Sequence, residues 1–205
     1  MTESWETLTN MAESAARGGR YAEAKDSYRR ALADADSRRD PSNAYYTRCN
    51  LAGLLRLLDE YTEAEQLLKE ATHLRHTHPE HLAREPISPL TDLERILVKQ
   101  NRLAELEILL SSDVEKMFAV YGRESFECKM SLMNLAKVYG THFKDMEKCK
   151  AIFAEVLEWA KTQAEPITRK MIYLNYDGVL RGAGLIAEAD AAQAELAALP
   201  KPAAT

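Results

Sequence analysis

The chain has 205 residues, a formal charge of −5, and a composition that is 46% hydrophobic and 29% charged. That apolar content can build a core and excludes a disordered chain, while the acidic balance argues against general binding to nucleic acid or anionic membranes. Eight Gly and seven Pro are too few for a turn-rich all-β fold, and no apolar run approaches the ~20 residues that span a bilayer.

Apolar residues at three- and four-residue spacing predict helices over 3–17 and 21–37, with Gly18-Gly19 as the turn between them. Asp40-Pro41 then opens a second pair, 42–58 and 61–76, joined at Asp59-Glu60. His78-Pro79, Glu85-Pro86 and Pro89 mark the link to a third pair, 89–100 and 103–120, which turns at Asn101-Arg102. Tyr121-Gly122 is a helix stop before the fourth pair, 124–141 and 145–163, which turns at 142–145. Glu165-Pro166 opens the fifth, 167–181 and 185–198, which turns at 182–184. The tail, 200–205, is expected to be disordered.

These pairs are copies of one unit. Tyr21-Ala-Glu-Ala24 returns as Tyr61-Thr-Glu-Ala64, and more loosely at Leu103, Met146 and Ile186, with spacings of 40, 42, 43 and 40. Met11, Leu51, Leu93, Leu135 and Tyr176 precede those copies by 10 residues, or by 11 in the fourth unit. Four residues further on stand Ala15, Leu55, Leu97, Tyr139 and Leu180, completing a core stripe. Ala24, Tyr28 and Ala31 recur as Ala64, Leu68 and Ala71, so small residues let the two helices of a unit approach closely. Leu106 and Asp113 replace the expected alanines of the third unit, whose packing is therefore expected to be splayed or specialised.

On these residues the chain resembles the tetratricopeptide repeat family. Its period, Asn50-Leu-Ala-Gly-Leu-Leu55 and His78-Pro79 are similar to the kinesin light chain subtype in particular. The resemblance implies an all-α, right-handed superhelical solenoid of about five antiparallel helix pairs. It would form one domain over 3–199, with units near 3–40, 41–84, 85–122, 123–164 and 165–199. It also implies that the first helix of each unit lines a concave, peptide-binding face.

One periodic feature exceeds packing. The residue before each first-helix core position is Asn10, Asn50, Asp92, Asn134 and Asn175. Asn is a mediocre helix former, and its amide can both donate to and accept from an extended peptide backbone; alternatively, each Asn bonds to a neighbouring helix. In proteins the chain resembles, the equivalent asparagines hold ligand backbone. Arg17, Arg56, Arg95, Lys99, Lys137 and Arg181 follow on the same helical face, with Tyr46, Met130, Met133, Met171 and Leu174 on or near it. Arg56, Arg95, Lys99, Lys137 and Arg181 would attract an acidic segment, or else form pairs along their own helices.

Other chemistry is weakly signalled. His73, His76, His78 and His81 lie close in sequence, but Pro79 interrupts any common face, so no metal is expected there. Cys49, Cys128 and Cys149 are odd in number and lack CxxC spacing, which fits reduced thiols, and no secretory signal opens the sequence. No nucleotide-binding or hydrolase motif occurs. The expectation is a cytoplasmic, non-enzymatic protein-binding module without cofactor, monomeric or weakly dimeric, that takes an acidic protein segment. The alternative is a scaffold that self-associates through its end repeats.

Overall fold

The computed structural model describes residues 3–82 and 88–199; Glu85-Pro86 and the 200–205 tail lie outside them. Among the described residues every regular element is helical. The chain divides into two compact units, one ending at Arg102 and one beginning at Leu103.

The first unit contains α1 (Trp5–Arg17), α2 (Tyr21–Ser37), α3 (Pro41–Leu57), α4 (Tyr61–Thr77), the short α5 (Pro79–Leu82) and α6 (Pro89–Lys99). The second contains α7 (Leu103–Tyr121), α8 (Phe126–Val138), α9 (Met146–Thr162), α10 (Pro166–Gly182) and α11 (Ile186–Ala198). A π-helical turn, Tyr139–Phe143, continues α8. The helix starts follow local chemistry. Ser4, Asp40, Ser125 and Asp145 accept hydrogen bonds from backbone N–H groups three residues on, satisfying orphan donors. Pro41, Pro89 and Pro166 occupy first helical positions, where a missing N–H costs nothing.

Each pair turns in the same way. Gly19, Asp59, Asn101, Lys144 and Gly184 all have positive φ, and each stands two residues before a second helix. The backbone N–H groups of Arg20, Glu60, Arg102 and Leu185 donate to carbonyls five residues back, the C-terminal closure of a Schellman turn. In the fourth pair the Asp145 N–H reaches six residues back, to Tyr139 at 2.9 Å. The extra residue in that unit's spacing is absorbed there, by the wider π turn.

Within the first unit, α1 packs on α2, α2 on α3, α3 on α4, and α6 on both α4 and α3. Ala12, Ala24, Ala31, Ala52, Ala64 and Ala71 are fully buried at these contacts, with Tyr28, Leu51, Leu55 and Leu68 filling between them. The short α5 was not foreseen; it seats Leu82 against Tyr45, Cys49 and Ala71. Within the second unit, α7 packs on α8, α8 on α9, α9 on α10, and α10 on α11. Phe153 is fully buried and its ring lies 4.7 Å from that of Tyr176. Gly140 sits in the π turn because nothing larger fits: a Cβ there would lie 2.3 Å from Val179 Cγ1 and 2.9 Å from Cys149 Sγ.

Two departures from the expected core have plain causes. Met11 is 43% exposed because its side of α1 faces an open groove. Asp113, at a position where alanine was expected, is buried and accepts a 2.5 Å hydrogen bond from Ser131 Oγ, so the polar group is satisfied.

Candidate interaction surface

The sequence-predicted residues fall on the first helices α1, α3, α6, α8 and α10, and the two units treat them differently. In the first unit Asn10 is exposed on α1. Asn50, on α3, is half-buried beside Tyr46, and its amide nitrogen is buried without a hydrogen-bond partner. Tyr46 itself is committed: its hydroxyl donates to Glu13 at 2.6 Å and its ring meets Trp5 edge-on at 5.8 Å. That hydrogen bond to Glu13, with burial, pushes the Tyr46 phenol up from its ordinary value.

The predicted cations of this unit are paired. Arg56 Nε lies 2.9 Å from Asp92 Oδ1, and Arg95 reaches the same oxygen at 3.0 Å. Lys99 donates to Asp59 Oδ1 at 2.8 Å and stands 5.0 Å over the Tyr61 ring. The Lys99 ammonium holds the Asp59 carboxyl below its usual range, helped by the Tyr61 hydroxyl, which also donates to it. Arg56, Asp59, Tyr61, Arg95 and Lys99 thus surround a cleft of about 280 Å³ whose charges already answer one another.

The second unit is different. Asn134 is half-buried on α8. Asn175, on α10, donates from Nδ2 to the Met171 carbonyl of its own helix at 2.8 Å, leaving its oxygen as an acceptor. Arg181 is paired with Asp177 at 3.1 Å and with Asp190 at 2.7 Å. Lys137 is half-buried on α8 and has no ion-pair partner among the described residues. Along α10, Ile167, Met171 and Leu174 are 77%, 37% and 50% exposed. Their spacing places them on one stripe of the helix beside Asn175. Met130 is half-buried and Met133 buried, so they serve packing more than a surface. Ile167 was missed in the sequence because it follows Pro166 at a helix start, where exposure is hard to foresee.

Buried charge also distinguishes this unit. The Lys129 side chain is 1% exposed and bonds Glu155 at 2.9 Å and Glu124 at 3.0 Å, while Glu155 also accepts from Arg123 Nε at 3.0 Å. Chiefly through Arg123 and then Lys129, Glu155 is held below the ordinary carboxylate range despite its burial.

Other candidate chemistry lacks geometry. Cys49, Cys128 and Cys149 are free and buried, and burial pushes the Cys149 thiol up to about 11, away from the reactive thiolate. Among the described residues no three His, Cys, Asp or Glu side chains converge as metal ligands would. No helix among them is long and apolar enough to cross a membrane.

No protein-family model matches the sequence, and no curated protein does. Among solved structures, the chain is similar to the crystal structure of BtubC (BKLC) from P. vanneervenii. The TM-score is 0.65 at 18% identity, over 98% of this chain and 84% of that one. At that identity the likeness bears on fold, and with the helix pairs above it establishes an all-helical repeat architecture.

Proposed function

We propose that the protein is a non-enzymatic interaction module of the cytoplasm that holds an extended segment of a protein partner along its first helices. The observation that carries this reading is the uncovered apolar stripe Ile167, Met171 and Leu174 on α10, beside the Asn175 amide. Solvent-facing apolar side chains in a row gain from being covered by a partner. The packed helices beneath them are already ordered, so the receptor loses little entropy on binding. Lys137, on the neighbouring α8, is the one predicted cation not already committed to a carboxylate among the described residues, and it gives the partner's acidic side chain a place to pair. Arg56, Arg95, Lys99 and Arg181 contribute less, because a ligand carboxylate would first have to displace Asp92, Asp59, Asp177 or Asp190.

The test is affinity capture from extract with the wild-type chain beside Met171→Asp/Leu174→Asp, after circular dichroism shows equal helicity. Loss of a wild-type partner from the variant supports the α10 face. A partner retained equally by both would remove it.

A further inference from the structure

The α10 stripe carries a thioether at its centre. Met171 stands four residues after Ile167 and three before Leu174, so all three share one side of the helix. Among the described residues, Met11 and Met171 are the exposed methionines, and Met11 belongs to α1. In the second unit Met117 and Met133 are buried, Met130 and Met146 are half-buried, and the thiols of Cys128 and Cys149 are buried too. An oxidant in solution therefore meets Met171 before any other described sulfur of that unit.

The repeat register gives Met171 a neighbour. Met171 lies four residues before Asn175, as Tyr46 lies four before Asn50. Lys137 lies three residues after Asn134, as Glu13 lies three after Asn10. In the first unit these two positions meet across adjacent first helices, where the Tyr46 hydroxyl donates to Glu13 at 2.6 Å. The first helices α8 and α10 of the second unit touch in the same order. Lys137 is a longer side chain than Glu13 and Met171 a shorter one than Tyr46, so the pair of positions keeps its reach. A thioether is a weak acceptor and leaves the Lys137 ammonium uncommitted, whereas the oxygen of a sulfoxide is polar and accepts readily.

We propose that Met171 is a peroxide-sensitive modification site whose sulfoxide switches the α10 face off, an inference that rests on the partner-binding reading of that face. Hydrogen peroxide gives one oxygen atom to the Met171 sulfur, which is oxidised by two electrons; the O–O bond breaks and water leaves. The product is polar and interrupts the apolar stripe between Ile167 and Leu174. Its oxygen accepts from Lys137, so one oxidation withdraws both the apolar surface and the free cation. A thiol-dependent sulfoxide reductase reverses the step: two thiols become a disulfide and the oxygen leaves as water.

The test treats the folded chain with dilute hydrogen peroxide and reads oxygen addition at each methionine by peptide mass spectrometry. Met171 should be modified severalfold faster than Met117 or Met133. Fluorescence of anilinonaphthalenesulfonate, an apolar anion, then reads the stripe and Lys137 together. Dye binding should fall in oxidised wild type and return with the reductase. At equal helicity, Met171→Leu should keep its dye binding through the treatment, and Met171→Gln should begin at the oxidised level. Acetylation of Lys137 by acetic anhydride should slow once Met171 is oxidised. Dye binding unchanged by oxidation of Met171 overturns the proposal, as does a Met171→Gln chain that binds dye like wild type. These readings need no partner, so they fail separately from the partner-binding reading, which falls if Met171→Asp/Leu174→Asp retains the captured partner. A partner held on the α10 face should be lost from peroxide-treated wild type and kept by treated Met171→Leu.

Discussion

In the unit ending at Arg102, the first helices carry Arg56, Arg95 and Lys99, and an aspartate of the same unit holds each of them. In the unit beginning at Leu103, Lys137 has no such partner among the described residues and stands on the helix next to an uncovered apolar stripe. One repeat pattern has therefore produced two surfaces. The comparison teaches that a basic residue on a predicted binding face is informative only once its neighbours are known. A cation already bonded to a carboxylate offers a new ligand only the difference between two similar pairs. An unpaired lysine beside exposed Ile, Met and Leu offers both charge and area.

The units also differ inside, and the buried charge of the second is where the largest effect is expected. Removing Glu155 leaves Lys129 in the core with only the exposed Glu124. Glu155→Ala should cost about 3–5 kcal/mol in chemical denaturation, whereas Lys129→Met, which removes the buried charge itself, should be close to neutral. Equal losses from both would mean that packing, not charge, dominates this site.

Gly140→Ala probes the π turn of the same unit. Its Cβ would collide with Val179 and Cys149, and overpacking should cost roughly 1–3 kcal/mol, read as a lower denaturation midpoint. Val179→Ala in the same chain should recover part of that loss. No recovery would place the strain in the turn itself rather than against α10.

The first unit should show its charge through pH. The Arg102 guanidinium, followed by Lys69, lowers the Glu65 carboxyl from 4.5 to about 2. A depressed carboxylate adds stability that is complete above its unfolded value and fades as pH falls through its folded one. The contribution, on the order of 2–3 kcal/mol, should therefore be whole above about pH 4.5 and lost toward about pH 2. Glu65→Gln should flatten that part of a melting-temperature profile. An unchanged slope would assign the acid sensitivity to other carboxylates.

How much of this was legible beforehand follows from the range of each interaction. Helix starts were readable because caps and prolines act within one turn: Asp40-Pro41 and Glu165-Pro166 open helices as their chemistry requires. The extra residue before Met146 was visible as a spacing of 11, but spacing alone does not say that a π turn absorbs it. The asparagine row was legible as a row, while the separate fates of Asn50 and Asn175 depend on side-chain geometry. The pairing of Lys99 with Asp59, 40 residues away, could not be read, because it needs the turn after α3 to bring a positive-φ aspartate beside α6. Buried Lys129 looked like an ordinary surface lysine for the same reason: its partners lie in different elements.

The smallest expected effect tests the shared turn. Lys144 holds φ of 58° where two of the other pairs place glycine. Lys144→Gly should raise stability by no more than about 1 kcal/mol, since relief of left-handed strain is offset by the freer unfolded chain. A loss of stability would show that the lysine side chain contributes there.

The measurement that tests the central claim most directly is the affinity of a captured partner for two variants. One is Arg56→Glu/Arg95→Glu/Lys99→Glu in the first unit, and the other is Lys137→Glu/Leu174→Asp in the second, both read by calorimetry. The account predicts that the second-unit variant weakens binding a hundredfold or so, on the order of 2–3 kcal/mol, while the first-unit variant stays within about tenfold of wild type. The reverse ranking would contradict it and move the binding face to the paired charges of the first unit.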